Sequence, residues 1–344
     1  MLNANAPKKF TSSNDKDAEM LLERVLLEIK DSLSNLDICV LLGGSYGRGD
    51  GGVRLDKENG ILYNDLDFFV FAKKANNNSE KLLHNIAKKY EKELKIDVDF
   101  SKVMTVKDIK NNASRLMMQE LKRGYVLVYG EDLLEKYLPQ IPANKIPFSE
   151  ACRLLVNRGM GLLLAGEKIS QNSQDIDFIL RNLNKAILGA GDALLIANNL
   201  YAWKLNERVA IINSLDINPN YKDLYKKAVQ FKSSPNRTIQ EDMPLFWNSV
   251  RDFYRFSLLA CSQANNEKDL LSCIYKECIK GNEYSIKNWI KYSVKTRSLP
   301  FNNWKNYTLP GVVLLLPQIA LQLDEMPQNL PKDGKLYSHW LLFN

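Results

Sequence analysis

Six residues carry the clearest chemical signal in this chain: Gly44 and Ser45, the pair Asp65 and Asp67, and the pair Asp97 and Asp99. The glycine and serine stand at the end of a compact apolar run, Ile38 to Leu42, which reads as a buried strand stopping at a tight turn. Asp65 and Asp67 open a second strand pattern (DLDFFVF), and Asp97 and Asp99 lie inside a third (KIDVDF). Side chains alternate along a strand, so the members of each pair project to one side. Carboxylates gathered at one end of a sheet repel one another unless a cation sits among them, and magnesium is a hard cation that takes carboxylate and phosphate oxygens.

Taken singly, each feature has an ordinary explanation. A lone Asp-x-Asp is usually a solvated strand face, and a lone Gly-Gly-Ser is usually a turn. Together they carry more weight, because charges within apolar strands such as ILYNDLDFFVFA and KIDVDF need compensation. Backbone amides at a glycine-rich turn suit phosphate, since glycine lets the main chain approach closely.

The succession GGSYGRG, DLDFFVF, KIDVDF resembles the nucleotidyltransferase superfamily that includes DNA polymerase beta and the antibiotic nucleotidyltransferases. The similarity covers about a third of the chain, roughly residues 17 to 135, and is specific for the superfamily rather than the substrate. It implies that Gly44 and Ser45 hold the β- and γ-phosphates of a nucleoside triphosphate, with Arg48 as a phosphate clamp or an ordinary surface arginine. Asp65 and Asp67 would bind two magnesium ions. Asp97 would complete the catalytic metal site and help activate the acceptor hydroxyl, with Asp99 as the alternative for that role. The reaction implied is in-line attack of a hydroxyl on the α-phosphorus with loss of pyrophosphate. Asp50 to Asn64 (DGGVRLDKENGILYN) reads as an insertion, either a lid over the nucleotide or a surface loop.

The elements that must position these residues follow from hydrophobic periodicity. Residues 17–34 place Met20, Leu21, Val25, Leu26 and Ile29 on one helical stripe. After the first strand, Gly47 to Asn64 is long and polar enough to be a mobile loop. Glu80 to Leu94 is helical, Lys95 to Val103 strand-like, Val106 to Arg123 helical, and Tyr125 to Tyr129 strand-like; Asn76 to Asn78 reads as a loop tip. Tyr137 to Phe148 holds three prolines and marks a linker. Beyond it long helical periods dominate: Cys152 to Leu164, Ile176 to Asn199, Pro244 to Gln263 and Lys268 to Val294. The expected fold is α+β: a small mixed-sheet nucleotidyltransferase domain over 1–147, followed by an all-helical domain over 148–344 that binds nucleotide and acceptor.

The helical half resembles, more faintly, the carboxy-terminal domain of kanamycin-type nucleotidyltransferases and related bacterial proteins, through CRLLVNRGMGLLLAGEK and NKAILGAGDALLI. That resemblance implies a lysine reaching the triphosphate, Lys185 or Lys168, each of which is equally well a solvated helix lysine. Those enzymes use a glutamate from this domain as general base, yet here no carboxylate precedes Glu167 in the comparable stretch.

Composition bounds the reading. The 344 residues are 45% hydrophobic and 25% charged, an ordinary globular balance that excludes wholesale disorder. The longest apolar stretch, Leu309 to Leu323, is interrupted by Pro310 and Pro317, so no spanning helix and no membrane partner is expected. The amino-terminal residues lack the apolar core of a secretory signal, and five scattered cysteines read as reduced cytoplasmic thiols. Only His84 and His339 are present, which leaves a histidine-dependent hydrolase little to work with. Trp289 to Arg297 (WIKYSVKTR) reads as an amphipathic helix packing Trp289 inward, or as an RNA contact. Residues 1–147 hold 23 Lys+Arg against 22 Asp+Glu, a net of +1, and 148–344 hold 24 against 18, a net of +6. A basic acceptor domain points away from polycationic aminoglycosides and toward an anionic or neutral small hydroxylated acceptor. AMP from ATP is the expected donor group. The alternatives are a toxin-like enzyme modifying tRNA or protein, and a catalytically silent nucleotide-binding regulator.

Overall fold

The computed structural model describes residues 9–54, 60–74, 79–233 and 242–343; the Asn76 to Asn78 tip and the centre of the Asp50 to Asn64 insertion lie outside them. The fold is mixed α+β and divides into two compact units, one within Met1–Ile141 and the other within Pro142–Phe231 and Asn236–Asn344. The division falls inside the proline segment, at Ile141/Pro142 rather than after Pro147.

In the first unit, α1 (Lys16–Ser32) leads into β1 (Cys39–Leu42), a single helical turn α2 (Gly44–Gly47), β2 (Leu66–Ala72), α3 (Glu80–Leu94), and the short β3 (Val98–Phe100) and β4 (Met104–Thr105). Then follow α4 (Val106–Asn111), α5 (Leu116–Lys122), β5 (Val126–Tyr129) and α6 (Leu133–Tyr137). The sheet order is β3-β2-β1-β5, with β4 also on β2; β1 is antiparallel to both neighbours, and β3 and β4 run parallel to β2. One face, carrying Val40, Leu42, Phe68, Val70 and Val98, is covered by α1 and α3 through Leu22, Val25, Ile29, Leu83, Ile86 and Tyr90. The opposite face, through Leu41 and Phe71, packs on Ile109, Met118, Leu121 and Leu134 of α4, α5 and α6.

Several sequence expectations are corrected here. Met20 is not on the buried stripe of α1; it is 61% exposed, and Ala18 and Leu22 take the inward positions. Lys95 to Val103 is not one strand: Ser101 turns its side chain back to accept from Val70 N–H (3.0 Å), interrupting the edge between β3 and β4. The helical stretch from Val106 breaks in two because a capping box of Thr105 and Asp108 starts α4, which ends at Asn111, and the chain turns before α5.

The second unit is built on α7 (Phe148–Ser170), α8 (Ile176–Ala197), α9 (Leu205–Ser214), α10 (Pro219–Ser233), α11 (Met243–Ser262), α12 (Leu270–Lys280), α13 (Ile286–Thr296), α14 (Leu316–Gln322) and α15 (Lys335–Phe343). No strand occurs among its described residues. α7 and α8 pack along their length and α11 crosses both. Trp247 Nε1–H and Tyr254 O–H of α11 donate to the carbonyls of Leu162 (2.9 Å) and Leu155 (2.6 Å). Glu283 caps α7, accepting from the N–H groups of Phe148 (2.7 Å) and Ser149 (2.9 Å). The helix expected over Lys268 to Val294 is two helices, because Gly281 ends α12, Asn282 takes a left-handed φ of 54°, and Ser285 caps α13. The apolar run from Leu309 is core: Val312, Val313, Leu315, Leu316 and Ile319 are all buried. No described helix is long and apolar enough to cross a membrane.

Candidate active site

Strand register brings Asp67 beside Asp99. β2 and β3 run parallel with Leu66 opposite Val98, Asp67 opposite Asp99 and Phe68 opposite Phe100. Leu66 N–H donates to the Asp97 carbonyl (2.9 Å), a bond of the Leu66–Val98 pair, and Asp65 and Asp97 stand just before their strands. Apolar side chains hold this register: Leu66 and Val98 are buried, and the rings of Phe68 and Phe100 stack with centroids 4.6 Å apart. Registered residues on adjacent strands share a face, so Asp67 and Asp99 lie on one face, across a strand spacing of about 4.8 Å. Asp65 and Asp67 are half-buried, whereas Asp97 and Asp99 are exposed at the sheet edge.

The glycine turn is pressed against this cluster. β1 is antiparallel to β2, so its carboxyl end, where the turn begins, meets the amino end of β2, where the aspartates lie. Gly43 N–H donates to the Asp67 carbonyl (2.8 Å). Gly44 has φ +60°, and a Cβ built on it would lie 2.2 Å from Asp67 Oδ2. Only glycine fits there, on backbone conformation and on space alike. α2 then opens with the N–H groups of Gly44 and Ser45, which have no acceptor within the turn.

Crowding of like charge is visible in Asp99. Its pKa is raised by burial first, then by the negative charges of Asp97, Asp65 and Glu91, and Lys88 opposes the shift. Lys88, on α3, has its own pKa raised chiefly by its hydrogen bond to Glu91 (2.6 Å), with Asp97 and Asp99 adding to it. It is a cation beside the carboxylates that sequence reasoning missed; its only signal is a place on the α3 turn nearest β3, which needs the fold to be seen. Asp99 and Lys88 also line an open groove of about 400 Å³ between α3 and the β3 edge.

Arg48 follows α2 with its stem against Gly124, where a Cβ would approach Arg48 Cγ to 2.6 Å, and its Nε stands 3.9 Å from Asp50. The insertion is held at both described ends, and its centre lies outside the described residues. Tyr46, fully buried, donates to the Gly52 carbonyl (2.8 Å) and accepts from the N–H groups of Tyr63 (3.0 Å) and Asn64 (3.2 Å). Asn64 Oδ1 accepts from Gly52 N–H (2.7 Å), and Val53 bridges to Leu62.

Lys185 and Lys168 belong to the second unit. Lys185 is exposed on α8. Lys168 pairs with Asp175 (2.9 Å) and covers the Phe178 ring. Glu167 is buried and accepts from Leu330 N–H (2.8 Å), which gives it a structural task. His84 is exposed on α3, and His339 is buried against the Tyr292 and Phe343 rings.

Carboxylate oxygens beside a glycine turn are the donor chemistry that a hard divalent cation takes. Among the described residues no group of three His, Cys, Asp or Glu side chains stands close enough to hold a metal ion. Comparison of the chain with protein-family models and with curated proteins returns no match.

Proposed function

We propose that this chain is a magnesium-dependent nucleotidyltransferase that moves a nucleoside monophosphate, AMP from ATP, onto a hydroxyl of a small anionic or neutral acceptor. The observation that carries the reading is the register pairing Asp67 with Asp99, with Asp65 and Asp97 at the entries of the same two strands, beside a glycine turn that abuts Asp67. Structural carboxylates have no reason to converge in this way, since each neighbour raises the cost of ionising the next.

In this reading the N–H groups of Gly44 and Ser45 bind the β- and γ-phosphate oxygens, and the left-handed turn at Gly44 keeps any side chain out of their way. Asp65, Asp67 and Asp97, or Asp99 in its place, hold the magnesium, which supplies charge neutralisation and Lewis acidity at the phosphates. The third carboxylate takes the proton of the acceptor hydroxyl. The acceptor oxygen then bonds to the α-phosphorus as the bond to the bridging oxygen of pyrophosphate breaks. Lys88 keeps the rim of the cluster from becoming wholly negative. The +6 of residues 148–344 supports an acceptor that is not polycationic.

The test is pyrophosphate release from each nucleoside triphosphate with magnesium and a small-molecule extract, followed by mass analysis of the modified acceptor. Asp65→Ala and Asp67→Ala are expected to reduce release by at least about a hundredfold, in line with loss of charge stabilisation at a transferring phosphoryl group. The proposal fails if the purified protein binds no Mg-nucleotide and the two variants behave as the parent does.

A further inference from the structure

The outer face of α13 and the loop after it expose apolar side chains that a packed unit would be expected to cover. Ile286, Ile290 and Val294 are 53%, 50% and 72% exposed, and Leu299, Phe301 and Trp304 are 62%, 70% and 46% exposed. The helix does not lack an inward face. Tyr292 and Ser293 are buried, and Trp289 donates from Nε1 to the Pro300 carbonyl (3.1 Å). The stripe Ile286, Ile290, Val294 follows the i, i+4, i+8 spacing of a second, outward face. Lys287 and Lys291 run beside it, whereas Lys295 turns to the Leu342 carbonyl and the Phe343 ring of α15, and Arg297 and Lys305 follow. Residues 284–323 hold five basic residues and no acidic one.

We infer that this face docks on the surface of an anionic phospholipid bilayer, with the aliphatic row, Leu299 and Phe301 entering the headgroup boundary and the lysines meeting lipid phosphates. Apolar residues beside a lysine row, with aromatic and leucine side chains standing out into solvent, are what interfacial helices use. Nucleic acid would meet the lysines but gains nothing from aliphatic side chains at half to three-quarters exposure. Contact with a surface needs no spanning helix, so the lack of one in the described chain does not bear on it. The inference is independent of the proposed transfer chemistry.

The experiment is co-sedimentation of the full chain with vesicles of phosphatidylcholine alone, and of phosphatidylcholine with about one-third phosphatidylglycerol, at low and high salt. The protein is expected in the pellet with the anionic vesicles at low salt and in the supernatant with the neutral ones. A triple variant, Ile290→Ser, Val294→Ser, Phe301→Ser, and a double variant, Lys287→Glu, Lys291→Glu, are each expected to weaken partition by roughly tenfold or more. All five side chains are exposed, so folding is preserved, which a circular dichroism melt checks. Three results overturn the inference: no binding to anionic vesicles by the parent protein, binding that both variants retain, or concentration-dependent self-association that the triple variant abolishes while vesicles are ignored.

Discussion

Replacing Gly44 by alanine tests the geometry on which the site reading depends. The left-handed backbone at φ +60° costs a β-carbon about 1–2 kcal/mol. The new Cβ would lie 2.2 Å from Asp67 Oδ2, so that carboxylate must leave its rotamer, at about 1 kcal/mol more. The sum, roughly 2–3 kcal/mol, divided by a urea slope of about 2 kcal/mol/M, moves the unfolding midpoint of the first unit down by roughly 1 M. All five tryptophans lie beyond residue 200, so their fluorescence follows the second unit and misses the effect. Cys39 is a better probe, being the one cysteine before residue 150, at the amino end of β1, the strand that leads into the turn. It is 1% exposed, with a thiol pKa pushed up to about 12 by burial, so alkylation mapped to Cys39 across a urea series reports when β1 opens. The two contributions separate in an Asp67→Ala background, where the carboxylate is gone and only the backbone cost of about 1–2 kcal/mol remains. A Gly44→Ala protein as stable as the parent, or a penalty unchanged by Asp67→Ala, would refute the close packing of the turn on Asp67.

Two further outcomes follow from the first unit. Tyr46→Phe takes the acceptor from Asn64 N–H, at about 1–3 kcal/mol, whereas Tyr63 N–H keeps its bond to the Gly52 carbonyl (3.1 Å), and it is expected to speed hydrogen exchange at Asn64 more than at Tyr63 while leaving β5 protected. Glu131 is held by Lys136 and Lys73, which lower its pKa from 4.5 to about 2. Because the folded pKa is the lower one, its stabilisation is full above about pH 4.5 and disappears as pH falls toward 2. Glu131→Gln is expected to flatten the stability profile in that window, and by little, since both lysines and the glutamate are about half exposed.

Much of the first unit was legible because its signals are local. Glu80 to Leu94 reads as helix from periodicity and is helix over those residues; the apolar runs ending at Gly43 and starting at Leu66 are strands for the same reason. What failed did so where a nonlocal contact or one polar group overrode the pattern. Ser101 bonding to Val70 split the third strand, and Asn282 in a left-handed turn split a helix. Lys88 was invisible for a related reason: nothing in its helix marks it, and its neighbours Asp97 and Asp99 come from another strand.

The sequence by itself determined which residues could do chemistry, that Asp65 and Asp67 share a side and that Asp97 and Asp99 share one, because alternation along a strand is a property of the backbone alone. Only the tertiary structure decided that Asp67 and Asp99 share the same face. That depends on a parallel register set by Leu66 against Val98 and Phe68 against Phe100, and a slip of one residue would send Asp97 and Asp99 to the other side of the sheet. It also decided that Gly44 closes on Asp67, since the antiparallel return of β2 along β1 brings together residues more than twenty positions apart.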